Sequence, residues 1–216
     1  MLDFFKDILS RIYDVKGIIE WGGVFAICVI VFVETGLFVG FFLPGDSLLV
    51  TAGILSSAGI LNLYYLLIFV SLSAIIGDQV GYFIGHKLGK TLFSKEDSII
   101  FKKKHIDRAK AFYEKHGPKT IVLARFIPIV RTFAPAVAGA AEMKYKTFVY
   151  YNIFGGLLWV FSTVLGGYFL GSLIPDIEKK LHIVIAVVIV LSFIPIGIEY
   201  WKSRKEKDKK ENNENP

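Results

Sequence analysis

Two arginines, Arg125 and Arg131, stand in a largely apolar segment of this chain, residues 125–135. A charge at the centre of a membrane helix costs about 2.5–3.5 kcal/mol on insertion scales, so intramembrane arginines usually face a cavity and mark a ligand or ion path. The planar guanidinium group binds phosphate oxygens through paired, charge-assisted hydrogen bonds. The pair therefore predicts an anion-binding site, and Thr132 is a further candidate for binding a phosphate headgroup.

The chain must bend within this segment if both arginines are to reach one ligand. In an unbroken helix, positions six residues apart point to nearly opposite faces, because each residue turns about 100 degrees. Pro128 removes an amide donor and disfavours helical angles at Ile127, and Pro135 repeats the effect. We therefore expect a broken or re-entrant helix, hinged at both prolines, in which the two guanidinium groups converge.

The composition indicates an integral membrane protein. The 216 residues are 54% hydrophobic and 15% aromatic, and the mean hydropathy of +0.54 is too high for a domain with an aqueous surface. The formal net charge of +6 lies mostly between apolar segments and in the C-terminal tail. The positive-inside rule accounts for it there, so nucleic-acid binding is not expected. The single Cys28 excludes an internal disulfide, and the histidines lack metal-ligand spacing, so neither a metal nor a cofactor is expected.

The N-terminal third predicts an interfacial helix followed by a hairpin. Residues 1–20 place apolar side chains at helical spacing with most charges elsewhere around the helix, which is typical of an amphipathic helix at the membrane interface. Residues 21–43 are apolar but interrupted by Glu34, and the apolar character resumes after Pro44 and Gly45. We expect a re-entrant hairpin hinged at this proline and glycine, because irregular backbone at membrane depth is tolerated where protein or a cavity covers it.

Three further segments have the length and apolarity of membrane spans: 62–89, about 146–172 and about 181–201. The basic linker 90–119 and the C-terminus are expected in the cytoplasm. The side of the N-terminus stays open, because a hairpin and a full span at residues 21–43 place it on opposite faces. The predicted domains are an N-terminal helix (1–20), a membrane transport domain (21–172) made of a first repeat (21–89), the linker (90–119) and a second repeat (120–172), a C-terminal transmembrane helix (173–201), and a disordered basic tail (202–216).

An internal repeat relates the two halves of the transport domain. Gly81-Tyr82-Phe83-Ile84-Gly85 returns as Gly167-Tyr168-Phe169-Leu170-Gly171, and Ala52-Gly53 returns as Ala138-Gly139, both at an offset of 86 residues. Only one span separates the two hairpins, so the second unit starts on the opposite face of the membrane. The predicted fold is an all-α integral membrane protein with an inverted repeat of re-entrant hairpin plus transmembrane helix, as in many secondary transporters, and a further C-terminal transmembrane helix.

Small residues recur at every fourth position of the first span: Ser73, Gly77, Gly81, Gly85 and Gly89. Such a strip lets another helix backbone approach closely within lipid. Asp78 lies beside the strip, so we expect its carboxyl group to face protein rather than lipid.

A set of charged, proline and glycine residues runs through both repeats: Glu34, Phe42-Leu43-Pro44-Gly45-Asp46, Gly77-Asp78, Tyr82, Gly85, Arg125-Phe126-Ile127-Pro128, Arg131-Thr132, Pro135 and Ala138-Gly139. Together they resemble the DedA family of bacterial membrane proteins over about residues 21–172. The resemblance implies a lipid translocase of the bacterial plasma membrane, and some members are implicated in returning undecaprenyl phosphate to the cytoplasmic leaflet with a dependence on the proton gradient. It also implies that Glu34 and Asp46 are membrane-embedded acids and that Arg125 and Arg131 are essential.

Three acids, Glu34, Asp46 and Asp78, are candidates for proton coupling and for pairing with the arginines, because burial favours the neutral form of a carboxyl group. Protonation of these acids would free the arginines to hold phosphate, and deprotonation would return the arginines to the acids and release it. Together with the resemblance, which implies undecaprenyl phosphate as the lipid, this chemistry predicts proton-coupled transport of a phosphate-bearing lipid. The predicted partners are this lipid and protons, and a homo-oligomer is compatible with the sequence.

Alternative functions use the same residues. The chain could be a phospholipid flippase or scramblase, for example for phosphatidylethanolamine, or a proton-coupled transporter of a small solute or ion, and the arginine–acid pairs could be structural. An enzyme is not expected, because no histidine lies in the arginine segment to act as a general base and no cysteine nucleophile precedes a phosphate loop.

Overall fold

The regular secondary structure in the described part of the chain is α-helical, as predicted. The computed structural model describes residues 15–37, 45–93, 113 and 117–173. The helices within these ranges are α1 (Val15–Gly36), α2 (Gly45–Ser57), α3 (Leu63–Phe93), α4 (Thr120–Ala124), α5 (Pro128–Ala140) and α6 (Tyr145–Leu173). Most of the predicted interfacial helix, most of the basic linker, the predicted span 181–201 and the tail lie outside the described residues.

Two of these helices are long and apolar enough to cross a membrane, over Leu63–Leu88 and Tyr145–Leu173. They contain 26 and 29 residues, and about 20 apolar residues suffice to span the hydrocarbon core. Their bounds agree with the predicted spans 62–89 and 146–172. Both helices expose large apolar side chains, among them Phe69 and Phe154, which suits contact with lipid.

Besides α4, which has five residues, three of the described helices lack an apolar run as long as a membrane span. α2 and α5 have 13 residues each, which is about 20 Å at 1.5 Å per residue, against about 30 Å for the hydrocarbon core. α1 has 22 residues but is kinked at Gly23, whose φ is 53°, and its apolar part is Trp21–Gly36. α1 thus continues through the predicted boundary at residue 20 and ends before residue 43, where the apolar arm was expected to end.

The short helices pack on the long ones, α2 against α6 and α5 against α3. A Cβ on Gly53 of α2 would overlap the backbone oxygen of Val164 in α6. A Cβ on Gly139 of α5 would likewise overlap the backbone oxygen of Tyr82 in α3. Gly53 and Gly139 are the glycines that the sequence repeat relates, so equivalent close contacts join each short helix to the long helix of the other half.

The small-residue strip of α3 lies where neighbouring helices approach most closely. Gly77 faces Gly36 at the end of α1, and Gly85 faces Ala136 of α5. The predicted packing role of the strip is confirmed at these positions. Asp78 is only 3% exposed, so its carboxyl group faces protein, as expected.

Candidate functional site

The chain breaks between α4 and α5, within the arginine segment. α4 ends at Ala124, Ile127 has extended angles (φ −113°, ψ 106°), and Pro128 is the first residue of α5. A proline suits the first turn of a helix and disfavours helical angles in the residue before it. The predicted break at Pro128 is confirmed, and it places Arg125 in a turn and Arg131 on a helix.

Pro135 does not break the segment, and this prediction was wrong. It lies inside α5, which continues to Ala140. Membrane helices tolerate proline when neighbouring helices support the backbone, and here a Cβ on Gly81 of α3 would lie 3.4 Å from the Cβ of Pro135. Of the residues predicted to form the first hinge, Gly45 begins α2 and Pro44 lies outside the described residues.

Two carboxylates from two other helices hold Arg131. Its Nη1 donates a hydrogen bond to Asp46 Oδ1 at 2.6 Å, and its Nη2 donates to Glu34 Oε1. We call these three residues, from α5, α2 and α1, the Arg131 cluster. Glu34 and Arg131 are 2% and 6% exposed, whereas the Asp46 side chain is 22% exposed. Asp46 is therefore the acid of the cluster that a ligand or a proton reaches most easily.

Trp159 of α6, in the same repeat as Arg131, completes the Arg131 cluster. Its indole N–H donates to Asp46 Oδ1 at 3.0 Å, and Arg131 Cζ lies 4.7 Å from the centroid of the indole ring. A cation over an indole face is attracted by the ring quadrupole. Sequence reasoning missed Trp159, although its place in the middle of a span, rather than at the membrane interface where tryptophan is enriched, was an available signal.

Arg125 has a separate set of partners. Its Nη2 donates to Asp78 Oδ2 of α3 and to Asn152 Oδ1 of α6. Asn152 Nδ2 in turn donates to the backbone oxygen of Ile75 at 3.0 Å, so the amide is held on both sides. Gly156 packs beside the guanidinium, because a Cβ there would lie 3.5 Å from Arg125 Cζ, at van der Waals contact.

These residues, Arg125, Asp78 and Asn152, form the Arg125 cluster, and they are 3%, 3% and 0% exposed. Sequence reasoning also missed Asn152. A polar amide within a predicted apolar span was the signal, since polar groups inside the membrane usually face partners rather than lipid.

The two arginines share no hydrogen-bond partner within the ranges that the structure describes. Convergence of both guanidinium groups on one ligand was expected, and the structure instead gives each arginine its own acids. A buried charge is stable only when it is paired, so each guanidinium is neutralised by the carboxylate that its own position reaches. Arg131 therefore faces two acids, and Arg125 faces one acid and one neutral amide.

Both clusters retain unused hydrogen-bonding capacity. Among the described residues, Glu34 Oε2, Arg125 Nε and Arg131 Nε are buried without a hydrogen-bond partner. Buried polar atoms are normally paired. Each arginine thus keeps an N–H donor available for a further acceptor, such as a phosphate oxygen.

A cavity of about 460 Å³ touches both clusters. It is lined by Asp46, Val50, Arg125, Phe126, Trp159, Ser162, Thr163, Gly166, Gly167 and Leu170. Phe126, Ser162 and Gly166 are exposed, so the cavity opens to the surface of the protein. Its wall thus combines Arg125, Asp46 and Trp159 with one face of α6.

The remaining predicted residue, Thr132, does not line this cavity. Thr132 is 3% exposed, and its hydroxyl donates to the backbone oxygen of Pro128 at 3.5 Å. Headgroup binding by Thr132 stays a prediction. Among the described residues, no group of three or more histidine, cysteine, aspartate or glutamate side chains is placed to hold a metal ion.

Comparison with known proteins gives one family model and several relatives. The model of the VTT domain matches residues 43–169, a range that holds both clusters except Glu34. Protein DedA of Escherichia coli is 44% identical over 209 residues, which cover 95% of this chain and 94% of the relative. An uncharacterized membrane protein of Mycobacterium tuberculosis is 42% identical over 193 residues, with coverages of 88% and 84%. Inner membrane protein YqjA of Escherichia coli is 35% identical over 148 residues, with coverages of 68% and 67%. No solved structure matches the chain.

Proposed function

Since the chain belongs to the DedA family of membrane proteins, we propose that it is a translocase that moves a phosphate-bearing lipid across the membrane. The proposed lipid is undecaprenyl phosphate, and the proposed driving force is the proton gradient across a bacterial plasma membrane. The protein is then a transporter and not an enzyme. The observation that carries this proposal is the cavity in which Arg125 meets an apolar wall that is open to the surface.

The cavity suits a lipid better than a small polar anion. Thr163, Gly166, Gly167 and Leu170 recur at the spacing of one helix face on α6, and they extend the cavity by about 10 Å along that helix. A lipid whose phosphate group binds Arg125 would place its hydrocarbon tail along this face of α6. The exposed rim of the cavity would let the rest of the lipid tail remain in the bilayer while the headgroup crosses.

Arg125 is the better candidate for direct phosphate binding. It lines the cavity, and among the described residues its Nε has no hydrogen-bond partner and its one ion pair is with Asp78. Arg131 does not line the cavity and is opposed by both Glu34 and Asp46. A phosphate oxygen at Arg125 would pair a buried donor and form a charge-assisted hydrogen bond.

The Arg131 cluster is the proposed site of proton coupling. One guanidinium between two carboxylates leaves one negative charge in excess, and a single proton neutralises it. A proton on Glu34 or Asp46 would weaken the hold of the acids on Arg131 and make the site more favourable to an anion. Loss of the proton would restore both ion pairs and expel the phosphate.

The membrane arrangement in this proposal is an inverted repeat of re-entrant hairpins. The lengths of α2 and α5, about 20 Å each, and the equivalent contacts of Gly53 and Gly139 with the opposite long helix support it. The basic linker 90–119 and the C-terminus are placed in the cytoplasm by their lysines and arginines. The lipid would cross between the two halves, where both arginine clusters lie.

The test is translocation of labelled undecaprenyl phosphate in proteoliposomes at two pH values. The wild type should transport the lipid faster at the lower pH, and Arg125→Ala and Arg131→Ala should each abolish transport. Lys119→Ala is a matched control, because Lys119 is an exposed cation that precedes α4 and lies outside both clusters. Circular dichroism and size-exclusion profiles establish that each variant folds.

Three results would contradict the proposal. Wild-type protein that moves neither undecaprenyl phosphate nor phospholipid would favour a small solute or ion as the substrate. Transport of phosphatidylethanolamine at the same rate would make the chain a general phospholipid scramblase. Full transport by both arginine variants would leave the two clusters with a structural role only.

A further inference from the structure

Trp159 joins the proton site to the cavity. Its indole N–H donates to Asp46 Oδ1 at 3.0 Å, and the same oxygen accepts the hydrogen bond from Arg131 Nη1 at 2.6 Å. Trp159 is 2% exposed, yet it lines the cavity together with Asp46 and Arg125. A single side chain thus contacts the most accessible acid, the paired arginine and the space assigned to the lipid.

The N–H of Trp159 has one strong acceptor in this arrangement. The charged groups around Asp46 are Glu34 from α1, Arg131 from α5 and, across the cavity, Arg125. A hydrogen bond to an ionised carboxylate is stronger than one to a neutral acid. When Asp46 takes up a proton, the indole N–H therefore loses its charged acceptor at the moment when the site becomes favourable to an anion.

We propose that Trp159 is a ligand-contacting switch, whose indole N–H is bound by Asp46 in the empty site and by a phosphate oxygen of the lipid in the loaded site. This inference rests on the proposed function for the second state only. The first state is the contact seen in the structure. The ring over Arg131, 4.7 Å from its Cζ, keeps the indole at the cluster while its N–H changes acceptor.

The aromatic ring and the N–H have separable roles, which conservative substitutions distinguish. Trp159→Phe keeps an aromatic face beside Arg131 and removes only the donor. The donor is then lost from both the empty and the loaded site, so binding loses the difference between a hydrogen bond to a charged phosphate and one to a neutral acid. The apparent affinity for the lipid phosphate at low pH should therefore fall about five-fold.

The first experiment uses intrinsic fluorescence and needs no transport. The chain has three tryptophans, so the double variant Trp21→Phe, Trp201→Phe leaves Trp159 as the only emitter. Asp46→Asn in this background replaces the charged acceptor by a neutral amide, so its emission maximum should differ from that of the parent double variant at the same pH. Equal emission in the two proteins would overturn the switch.

The second experiment measures lipid binding and transport of Trp159→Phe beside Trp21→Phe. Trp21 is 87% exposed on α1, so its replacement is the matched control and should leave both readouts at the wild-type level. Addition of undecaprenyl phosphate at low pH should also change the emission of the protein with Trp159 alone. An unchanged affinity in Trp159→Phe would overturn the proposal, even if wild-type transport is robust.

The two experiments separate failure of this inference from failure of the proposed function. If wild-type protein transports no lipid, the proposed function fails together with the loaded state of the switch, while the emission of the Asp46→Asn variant still decides the contact between Trp159 and Asp46. If Trp159→Phe does not fold, the emission of the folded double variant with undecaprenyl phosphate decides the loaded state. Absence of any lipid-dependent change there would overturn it.

Discussion

Gly45 lies directly against Glu34, so close that a Cβ at position 45 would overlap the Glu34 carboxylate. Glu34 is near the end of α1 and Gly45 begins α2, so the two helices meet at the point where Glu34 and Asp46 contact Arg131. The missing side chain at position 45 is a condition for the Arg131 cluster. A glycine that was predicted as a hinge thus also makes room for a charged group.

Gly45→Ala should therefore displace the Glu34 carboxylate from Arg131. Overpacking typically costs about 1–3 kcal/mol, and separation of a buried ion pair costs more. We expect a lower Tm in detergent and at least a ten-fold loss of lipid transport in proteoliposomes, since each 1.4 kcal/mol corresponds to about a factor of ten.

The double variant Gly45→Ala, Glu34→Ala separates crowding from loss of charge. Removal of the carboxylate gives the new methyl group space, so the double variant should recover part of the Tm that Gly45→Ala loses. Transport should stay low, because Arg131 has lost one acid. A wild-type Tm and pH profile in Gly45→Ala alone would contradict the close contact.

Glu34→Gln should flatten the pH dependence of lipid binding. The proposed cycle binds phosphate when the acids of the Arg131 cluster are protonated, so wild-type binding should rise as the pH falls. Glutamine is permanently neutral and should hold the binding at the low-pH level as the pH rises. Asp46 is unchanged in this variant, so the double variant Glu34→Gln, Asp46→Asn should remove any dependence that is left. A wild-type pH profile in the double variant would place the proton site elsewhere.

Substitutions of Asn152 should change the affinity for the lipid phosphate, because Asn152 is a hydrogen-bond partner of Arg125. Asn152→Ala removes an acceptor from Arg125 and the donor to the Ile75 oxygen, which we expect to cost about 1–3 kcal/mol of stability. Asn152→Asp adds a second negative charge beside Arg125, so it should reduce the affinity for the lipid phosphate more than alanine does. The measurement is binding of labelled undecaprenyl phosphate at fixed pH, with the Tm of each variant. Equal affinity in both variants would show that Arg125 does not bind the phosphate.

Gly53→Ala and Gly139→Ala should both destabilise the protein, because each new Cβ would overlap backbone of the opposite long helix. A rigid backbone cannot yield as a flexible side chain does, so we expect a loss of about 1–3 kcal/mol or more. Thermal unfolding in detergent measures it. Gly166→Ala is the matched control, because a Cβ there meets nothing within 4 Å. An equal fall of the Tm in all three variants would mean that the loss comes from replacing any glycine of these helices, rather than from the close contacts of Gly53 and Gly139.

Several features of this protein were predictable because they depend on local chemistry. The spans over α3 and α6 follow from apolar runs longer than the bilayer is thick. The break before Pro128 follows from the steric effect of proline on Ile127. The burial of Asp78 follows from its place beside a strip of small residues, where only another helix can pack closely.

The partners of the charged groups were decided by tertiary structure alone. Arg125 meets Asp78 across 47 positions of the chain, and Arg131 meets Asp46 across 85 and Glu34 across 97. No periodicity or spacing encodes which buried acid neutralises which arginine, since that depends on how α1, α2, α3 and α5 lie against one another. The same holds for Pro135, whose local tendency to break a helix was outweighed by packing against α3.

The sequence by itself determined the membrane class, the two long helices and the residues that carry charge, because hydropathy and proline geometry act over a few neighbouring residues. The tertiary structure decided that the arginines separate into two clusters, that Asn152 and Trp159 complete them, and that a cavity lies between. The bond from Trp159 to Asp46 spans 113 positions. This hydrogen bond forms because α2 packs against α6. Within lipid, a buried polar group must find its partner inside the protein.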